Sequence, residues 1–81
     1  MIIVWDEPKR NANLAKHGID FAAIGEDFFA SAIVAPAKDG RFAAIGHLNG
    51  VIAVIFAVLG SEGVSIISAR PASPKERRLL E

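Results

Sequence analysis

The pattern of apolar and polar positions predicts five strands and three helices. Residues 1–5 are β-branched and apolar, which is typical of a short strand. Further apolar runs lie between turn sequences and predict four more strands, at 31–37, 41–48, 51–59 and 64–70. Helices are expected at about 7–17, at about 21–29 and from residue 74 towards the chain end. The predicted order is therefore β-α-α-β-β-β-β-α.

Capping signals mark the ends of the three predicted helices. Asp6 is an N-cap candidate for the first helix, and Gly18 is its expected C-terminal end. Asp20 can cap the second helix, although Gly25 weakens that helix by about 1 kcal/mol relative to alanine. The sequence Ser-Pro-Lys-Glu at 73–76 reads as a capping box before a short last helix.

Turn signals and an apolar strand predict the sheet. Asn49-Gly50 is a strong signal for a two-residue hairpin. The strand 51–59 has no polar residue on either face, so we expect it inside the sheet with both faces buried. Four consecutive strands on short turns predict an antiparallel meander with the helices packed on one face. The fold class is α+β, in a single domain spanning residues 1–81.

Composition excludes several classes of protein. The 81 residues are 52% hydrophobic and 22% charged, with nine Lys+Arg balanced by nine Asp+Glu, which is unlike a disordered or strongly basic chain. There is no cysteine, so disulfides and thiol catalysis are excluded. The longest apolar run is nine residues, well short of the roughly 20 that span a membrane. With no signal-peptide pattern, we expect a soluble cytoplasmic protein that does not contact membranes.

Cationic side chains at the edges of the predicted elements are the main candidate chemistry. The sequence has no glycine-rich phosphate loop, no His-x-x-x-His pair and no evident nucleophile. Cations suit RNA cleavage by the 2′-hydroxyl group, which needs a base, positive charge around the phosphorane and an acid for the leaving oxygen. The set comprises Lys9, Arg10, Lys16, His17, Arg41, His47, Arg70, Lys75, Arg77 and Arg78.

Several segments, in order along nearly the whole chain, resemble the BrnT family. They are Trp5-Asp6-Glu7-Pro8-Lys9, Asn13, Lys16-His17-Gly18-Ile19-Asp20-Phe21, Arg41 with Ala44-Ile45-Gly46, and Ile66-Ile67-Ser68-Ala69-Arg70 followed by Ala72 and Glu76-Arg77-Arg78. The resemblance implies a ribonuclease toxin of a type II toxin–antitoxin system with a RelE-like fold. It also implies a BrnA-type antitoxin that neutralises the toxin and binds operator DNA, so that the toxin meets this DNA only through its partner. No cofactor is expected.

The resemblance and the residue chemistry together give a set of site residues. We expect Lys16, His17, Arg70 and Arg77 to be catalytic, Arg41 and Lys75 to bind substrate, and no metal ion to take part. Histidine exchanges protons readily near neutral pH, and arginine pairs well with phosphate. Each residue also has a purely structural interpretation, such as a helix-end cation that favours the helix dipole. We expect Arg70 to meet Arg77 and at least one of Lys16, His17 and Arg41 on the exposed face of the sheet.

Departures from the family pattern leave an alternative function open. The family's Thr-Glu-Arg-Gly run is Ala57-Val58-Leu59-Gly60 here, a usual arginine is Ser65, and a common tyrosine is Leu80. The alternative is a catalytically weak or inactive member that binds the antitoxin in an autoregulatory operator complex. A purely structural module also fits the composition but ignores the motif order. The mean hydropathy of +0.37 predicts an exposed apolar surface that the antitoxin covers.

Overall fold

A five-stranded mixed sheet forms the centre of the protein. The computed structural model describes residues 1–81. Its strands lie in the order β1-β5-β4-β3-β2. The elements are β1 (Ile2–Trp5), α1 (Glu7–His17), a 3₁₀ turn (Phe21–Ala23), α2 (Glu26–Ser31), β2 (Ile33–Pro36), a second 3₁₀ turn (Lys38–Gly40), β3 (Phe42–His47), β4 (Val51–Leu59), β5 (Gly63–Pro71) and α3 (Pro74–Arg78).

The strands β2 to β5 form the predicted antiparallel meander, and the α+β class is confirmed. The hairpin between β3 and β4 turns at Asn49 and Gly50, which both have positive φ angles. The strand β1 lies beside β5 and runs parallel to it, from the Ile2–Gly63 pair to the Trp5–Ile66 pair. A parallel pair cannot be closed by a short turn, so the chain returns to this edge only after all its other strands.

The second helix differs from the prediction of one continuous helix over 21–29. Residues Phe21–Ala23 form a 3₁₀ turn, Ile24 is extended, and α2 begins after an extended Gly25. Glycine has a high conformational-entropy cost in a helix, which favours a break at this point. Phe21, Ile24 and Phe28 are nevertheless all buried, because the break preserves their direction towards the sheet.

The two faces of the sheet are covered differently. The first face carries the main core. There the apolar residues between 21 and 29 pack on sheet residues such as Val54, Phe56 and Ile66. The second face carries a smaller cluster, where Ala72 and Leu80 on either side of α3 pack near Ile45. The expectation that all helices share one face is therefore wrong for α3. We attribute the position of α3 to the register shift between β4 and β5, which changes the face of the sheet to which the last side chains of β5 point.

The strand β4 is interior, as predicted, because it is the third of five strands. Its residues are buried or half-buried as far as Ala57. Val58 and Leu59 are 55% and 48% exposed, so the expected burial of both faces fails at this end of the strand.

The side chain of Asn13 ties α1 to β5 where β1 has already ended. Its Nδ2 donates to the carbonyl oxygens of Ala69 (2.9 Å) and Ile19 (3.0 Å), and its Oδ1 accepts from the Ala69 N–H (3.0 Å). The amide thus supplies the backbone of β5 with the pairing that a longer β1 would give. Asn13 is only 7% exposed, and no buried side-chain polar atom in the protein lacks a partner.

Replacing Asn13 by alanine should lower the free energy of unfolding by about 3 kcal/mol, because each buried polar group left unpaired costs roughly 1–3 kcal/mol. Urea denaturation followed by circular dichroism measures this loss. The matched control is Asn11→Ala, an exposed asparagine on the same helix, which should change stability by less than about 0.5 kcal/mol. Equal stability of the two variants would contradict the role given to Asn13.

Candidate functional site

Four of the six predicted site residues are divided between two neighbouring cavities. The first, called the His17 cleft, has a volume of about 520 Å³ and is lined by His17, Asp20, Asn49, Pro71 and Arg77 among others. It lies where the end of α1, the β3–β4 hairpin and α3 come together. It therefore brings an imidazole and a guanidinium group to one cleft.

The end of α1 gives His17 its place. Gly18 has a φ angle of 71° and its N–H bonds to the Leu14 carbonyl oxygen at 2.9 Å, which ends the helix as predicted. His17 is half-buried in the last turn, whereas Lys16 is exposed. Because Gly18 stops the helix, the chain turns at once towards the sheet, and the imidazole remains at the rim of the cleft.

The carboxylate of Asp20 lines the same cleft but is already paired. Nε and Nη2 of Arg10 donate to its two oxygens at 2.7 and 3.0 Å, and the Ala22 N–H donates to it at 2.9 Å. The hydrogen bonds from Arg10, with a smaller effect of that N–H, lower the pKa of Asp20 to about 2. Asp20 is therefore ionised at neutral pH and serves as a structural acceptor that fixes the loop after α1.

The second cavity, called the Arg70 groove, lies on the second face of the sheet. Its volume is about 400 Å³, and its charged lining residues are Lys38, Arg41, Arg70 and Glu76. Nη1 and Nη2 of Arg70 donate to the two carboxylate oxygens of Glu76 at 2.7 and 3.0 Å. These hydrogen bonds lower the pKa of Glu76 to about 2 and raise the pKa of Arg70.

The carboxylate of Glu76 also completes the predicted capping box of α3. Its Oε1 accepts from the Ser73 N–H at 2.8 Å, while the Glu76 N–H donates to the Ser73 hydroxyl group at 3.2 Å. The capping pattern alone identified Glu76 as a helix cap. Its pairing with Arg70 was not predicted, although the two residues are only six positions apart.

The structure brings together some of the expected residues and separates others. His17 and Arg77 share the cleft, and Arg41 and Arg70 share the groove. Arg70 and Arg77 line different cavities, so they do not form the single cluster that we expected. The separation arises because α3 follows β5 directly and presents Glu76 to one cavity and Arg77 to the other.

Lys16 and Lys75 lie outside both cavities. Lys16 lines a shallow groove of about 260 Å³ together with Lys9, Asn13 and His17, between α1 and the edge of β5. His17 thus lies where this groove meets the cleft. Lys75 is exposed on α3 and lines no cavity. Lys38 is a cation of the Arg70 groove that the sequence did not single out, because it lies in a turn typical of solvent-exposed residues.

Four of the departures from the family pattern project onto the second face of the sheet. Ala57 pairs with Ser65, and Leu59 pairs with Gly63. The alternation along β4 places residues 57 and 59 on the same face as Ala53, the cross-strand partner of Arg70. Leu80 packs on this face as well. Positions at which the resemblance predicted polar side chains therefore carry small or apolar ones on the face that holds Arg70.

No three His, Asp or Glu side chains come close enough together to hold a metal ion. None of the helices is both long and apolar enough to span a membrane.

Comparison with known proteins identifies the class to which this sheet and its cation-lined cavities belong. A family model described as "Ribonuclease toxin, BrnT, of type II toxin-antitoxin system" matches residues 5–76. The crystal structure of the Brucella abortus ribonuclease toxin BrnT is similar, with a TM-score of 0.83 and 56% sequence identity over 90% of this chain and 97% of that chain. Among curated proteins, none matches.

The class is therefore that of ribonuclease toxins of type II toxin–antitoxin systems. Within that class the chain belongs to the BrnT family, as its motifs predicted. Membership in such a system implies an antitoxin partner. The wider likeness to the RelE group stays a prediction.

Acid should destabilise the protein through Asp20 and Glu76. Their pKa values fall from 3.8 and 4.5 to about 2 on folding, so their contribution is complete above these ordinary values and is lost as the pH falls towards 2. We expect the free energy of unfolding, measured in urea, to decrease from about pH 5 downwards. Glu76→Gln should be less stable than the wild type at pH 7 and should approach it near pH 2. A constant difference across this range would contradict the assignment.

Proposed function

We propose that this protein is an endoribonuclease toxin that cuts RNA in the His17 cleft without a metal ion. The observation that carries the proposal is that His17 and Arg77 line one cleft in a protein of the BrnT family. A general base and a cation that can reach the same phosphate group are what cleavage by the 2′-hydroxyl group requires. The chain itself can supply both, so no metal-bound nucleophile is needed.

The proposed reaction assigns a step to each residue. The His17 imidazole accepts the proton of the 2′-hydroxyl group, and the 2′-oxygen attacks the adjacent phosphorus. The Arg77 guanidinium donates hydrogen bonds to the non-bridging oxygens while the phosphorane carries its extra negative charge. The bond from phosphorus to the 5′-oxygen then breaks, and the Lys16 ammonium, in the adjoining groove that meets the cleft at His17, gives that oxygen a proton. The products are a 2′,3′-cyclic phosphate and a 5′-hydroxyl end.

The remaining expected residues act on the rest of the RNA and not at the cut bond. Arg41 and Arg70 in the neighbouring groove bind a flanking phosphate group of the RNA. Lys75, exposed on α3, adds positive charge that attracts the RNA to this surface. The separation of Arg70 from Arg77 in two cavities supports this division. We further propose a BrnA-type antitoxin as the partner, with operator DNA bound only through that antitoxin.

His17→Gln and Arg77→Ala should each reduce the cleavage rate by about 10²–10³-fold, the usual cost of losing a general base or an oxyanion donor. The assay is cleavage of total RNA by purified protein, with circular dichroism to confirm folding. The chain offers matched controls: His47→Gln changes the other histidine, and Arg78→Ala changes the next arginine, and neither residue lines the cleft. Full cleavage by both cleft variants would refute this site.

The family departures on the second face support a second candidate function. Leu59 replaces an arginine, and Ile2 and Val4 of β1 face the same side, since Ile3 and Trp5 pack on the first face. Leu59, Ile2 and Val4 are 48%, 61% and 41% exposed. An apolar strip of this kind fits a protein partner better than RNA. In this candidate the chain has little or no activity and serves as the antitoxin-binding subunit of an operator complex.

Under this second candidate, Leu59→Arg should weaken binding to the antitoxin encoded beside this gene by at least about tenfold, because it places a charge in an apolar contact. Calorimetric titration measures the affinity. Leu14→Arg is the control, an exposed leucine on α1 away from this face. If the two variants bind alike, the strip is not the antitoxin surface. If the wild type binds the antitoxin but does not cut RNA, the second candidate replaces the first.

A further inference from the structure

The guanidinium group of Arg70 has donors that the protein does not use. An arginine carries five N–H bonds. Two of them, one on Nη1 and one on Nη2, bind Glu76, and the other N–H of Nη1 points to the Pro71 carbonyl oxygen at 3.4 Å. The N–H of Nε and the second N–H of Nη2 have no partner in the protein. These two bonds lie side by side on one edge of the planar group and form a fork.

Arg10 shows what the same edge does when it is occupied. There Nε and Nη2 bind the two oxygens of Asp20 at 2.7 and 3.0 Å, while Nη1 binds Glu7. Within one chain, then, two arginines are each held by a glutamate. In Arg10 the Nε–Nη2 edge is filled by a carboxylate, and in Arg70 it is open.

The open edge of Arg70 is accessible to a ligand. No buried side-chain polar atom in the protein lacks a partner, so the unpaired Nε must reach solvent. The side chain of Arg70 is 37% exposed and that of Glu76 is 20% exposed, so the arginine is the more accessible member of the pair. Arg70 lines the groove together with Arg41 and Lys38, two further exposed cations. An anion at the fork would therefore meet three positive charges and one carboxylate that is already paired.

We propose that Glu76 is a positioning residue that holds Arg70 by one edge, so that the free Nε–Nη2 fork binds one phosphate group of the RNA in a bidentate manner. This inference rests on the proposed function, because it assigns the flanking phosphate site of that reaction. A phosphate diester has two non-bridging oxygens that match the two parallel N–H bonds of such a fork. Glu76 is fixed in turn by the capping box, so the orientation of the fork depends on α3. The glutamate reduces the net charge of the site but removes the rotational freedom of the arginine.

The first test uses protein labelled with ¹⁵N in its arginines and an oligodeoxynucleotide, which lacks the 2′-hydroxyl group and cannot be cut. The Nε–H signal of Arg70, identified by its loss in Arg70→Lys, should shift during the titration and saturate. The Nε–H signal of Arg10 is the internal control and should stay in place, because Asp20 already occupies it. An unmoved Arg70 signal in the presence of bound oligonucleotide would overturn the inference.

The second test separates positioning from stability. Glu76→Gln keeps the size of the side chain but loses one acceptor and the charge, so the fork is held less firmly and KM for RNA should rise about tenfold. The value of kcat should change little, because the cut bond lies in the His17 cleft. Loss of the carboxylate charge alone would instead lower KM. Ser73→Ala removes only the hydroxyl group of the capping box, while the Ser73 N–H still binds Glu76, so it should lower stability but keep the wild-type KM and Arg70 shift. A KM at or below the wild-type value in Glu76→Gln would refute the positioning role.

The two tests also distinguish this inference from the proposed function. If the wild type cuts RNA but its Arg70 signal does not respond to the oligonucleotide, the phosphate site is wrong and the ribonuclease stands. If the Arg70 signal responds but the wild type does not cut RNA, the phosphate site stands and the ribonuclease proposal fails.

Discussion

The three hydrogen bonds of the Asn13 side chain hold α1 against β5, and the positions of the candidate site residues depend on this contact. The strand β1 is too short to pair with the whole length of β5, and the amide of Asn13 takes over that pairing at Ala69. One residue after Ala69 is Arg70, and four residues after Asn13 is His17. A single buried amide therefore sets the position of the end of α1, which carries His17, against the end of β5, which carries Arg70.

The end of β5 and the start of α3 explain why the candidate cations form two groups. The register shift between β4 and β5 and the immediate start of α3 after Pro71 turn Arg70 towards the second face. The capping box then fixes Glu76 against Arg70, which leaves Arg77 to the cleft of His17. Arg70, held in this way by Glu76, needs no large rearrangement when a phosphate group arrives.

Local signals in the sequence predicted much of this structure. Gly18, the Asn49-Gly50 turn and the Ser73–Glu76 box each act within a few residues, and each forms as expected. The break at Gly25 was missed because burial of Phe21 and Phe28 fits a continuous helix as well as a broken one. The family motifs gave His17 and Arg77 as candidates but did not predict their separation from Arg70, since the register shift depends on pairing between distant strands. The bond from Asn13 to Ala69 joins residues 56 positions apart and has no local signature.

The most direct measurement is the chemistry of the ends that the purified protein leaves on RNA. Attack by the 2′-hydroxyl group, with His17 as base and no metal ion, predicts 2′,3′-cyclic phosphate and 5′-hydroxyl ends in the presence of EDTA. It also predicts no cut at a position where the substrate carries a 2′-deoxy sugar. Ends with a 5′-phosphate, or cleavage that EDTA abolishes, would contradict the account of the His17 cleft.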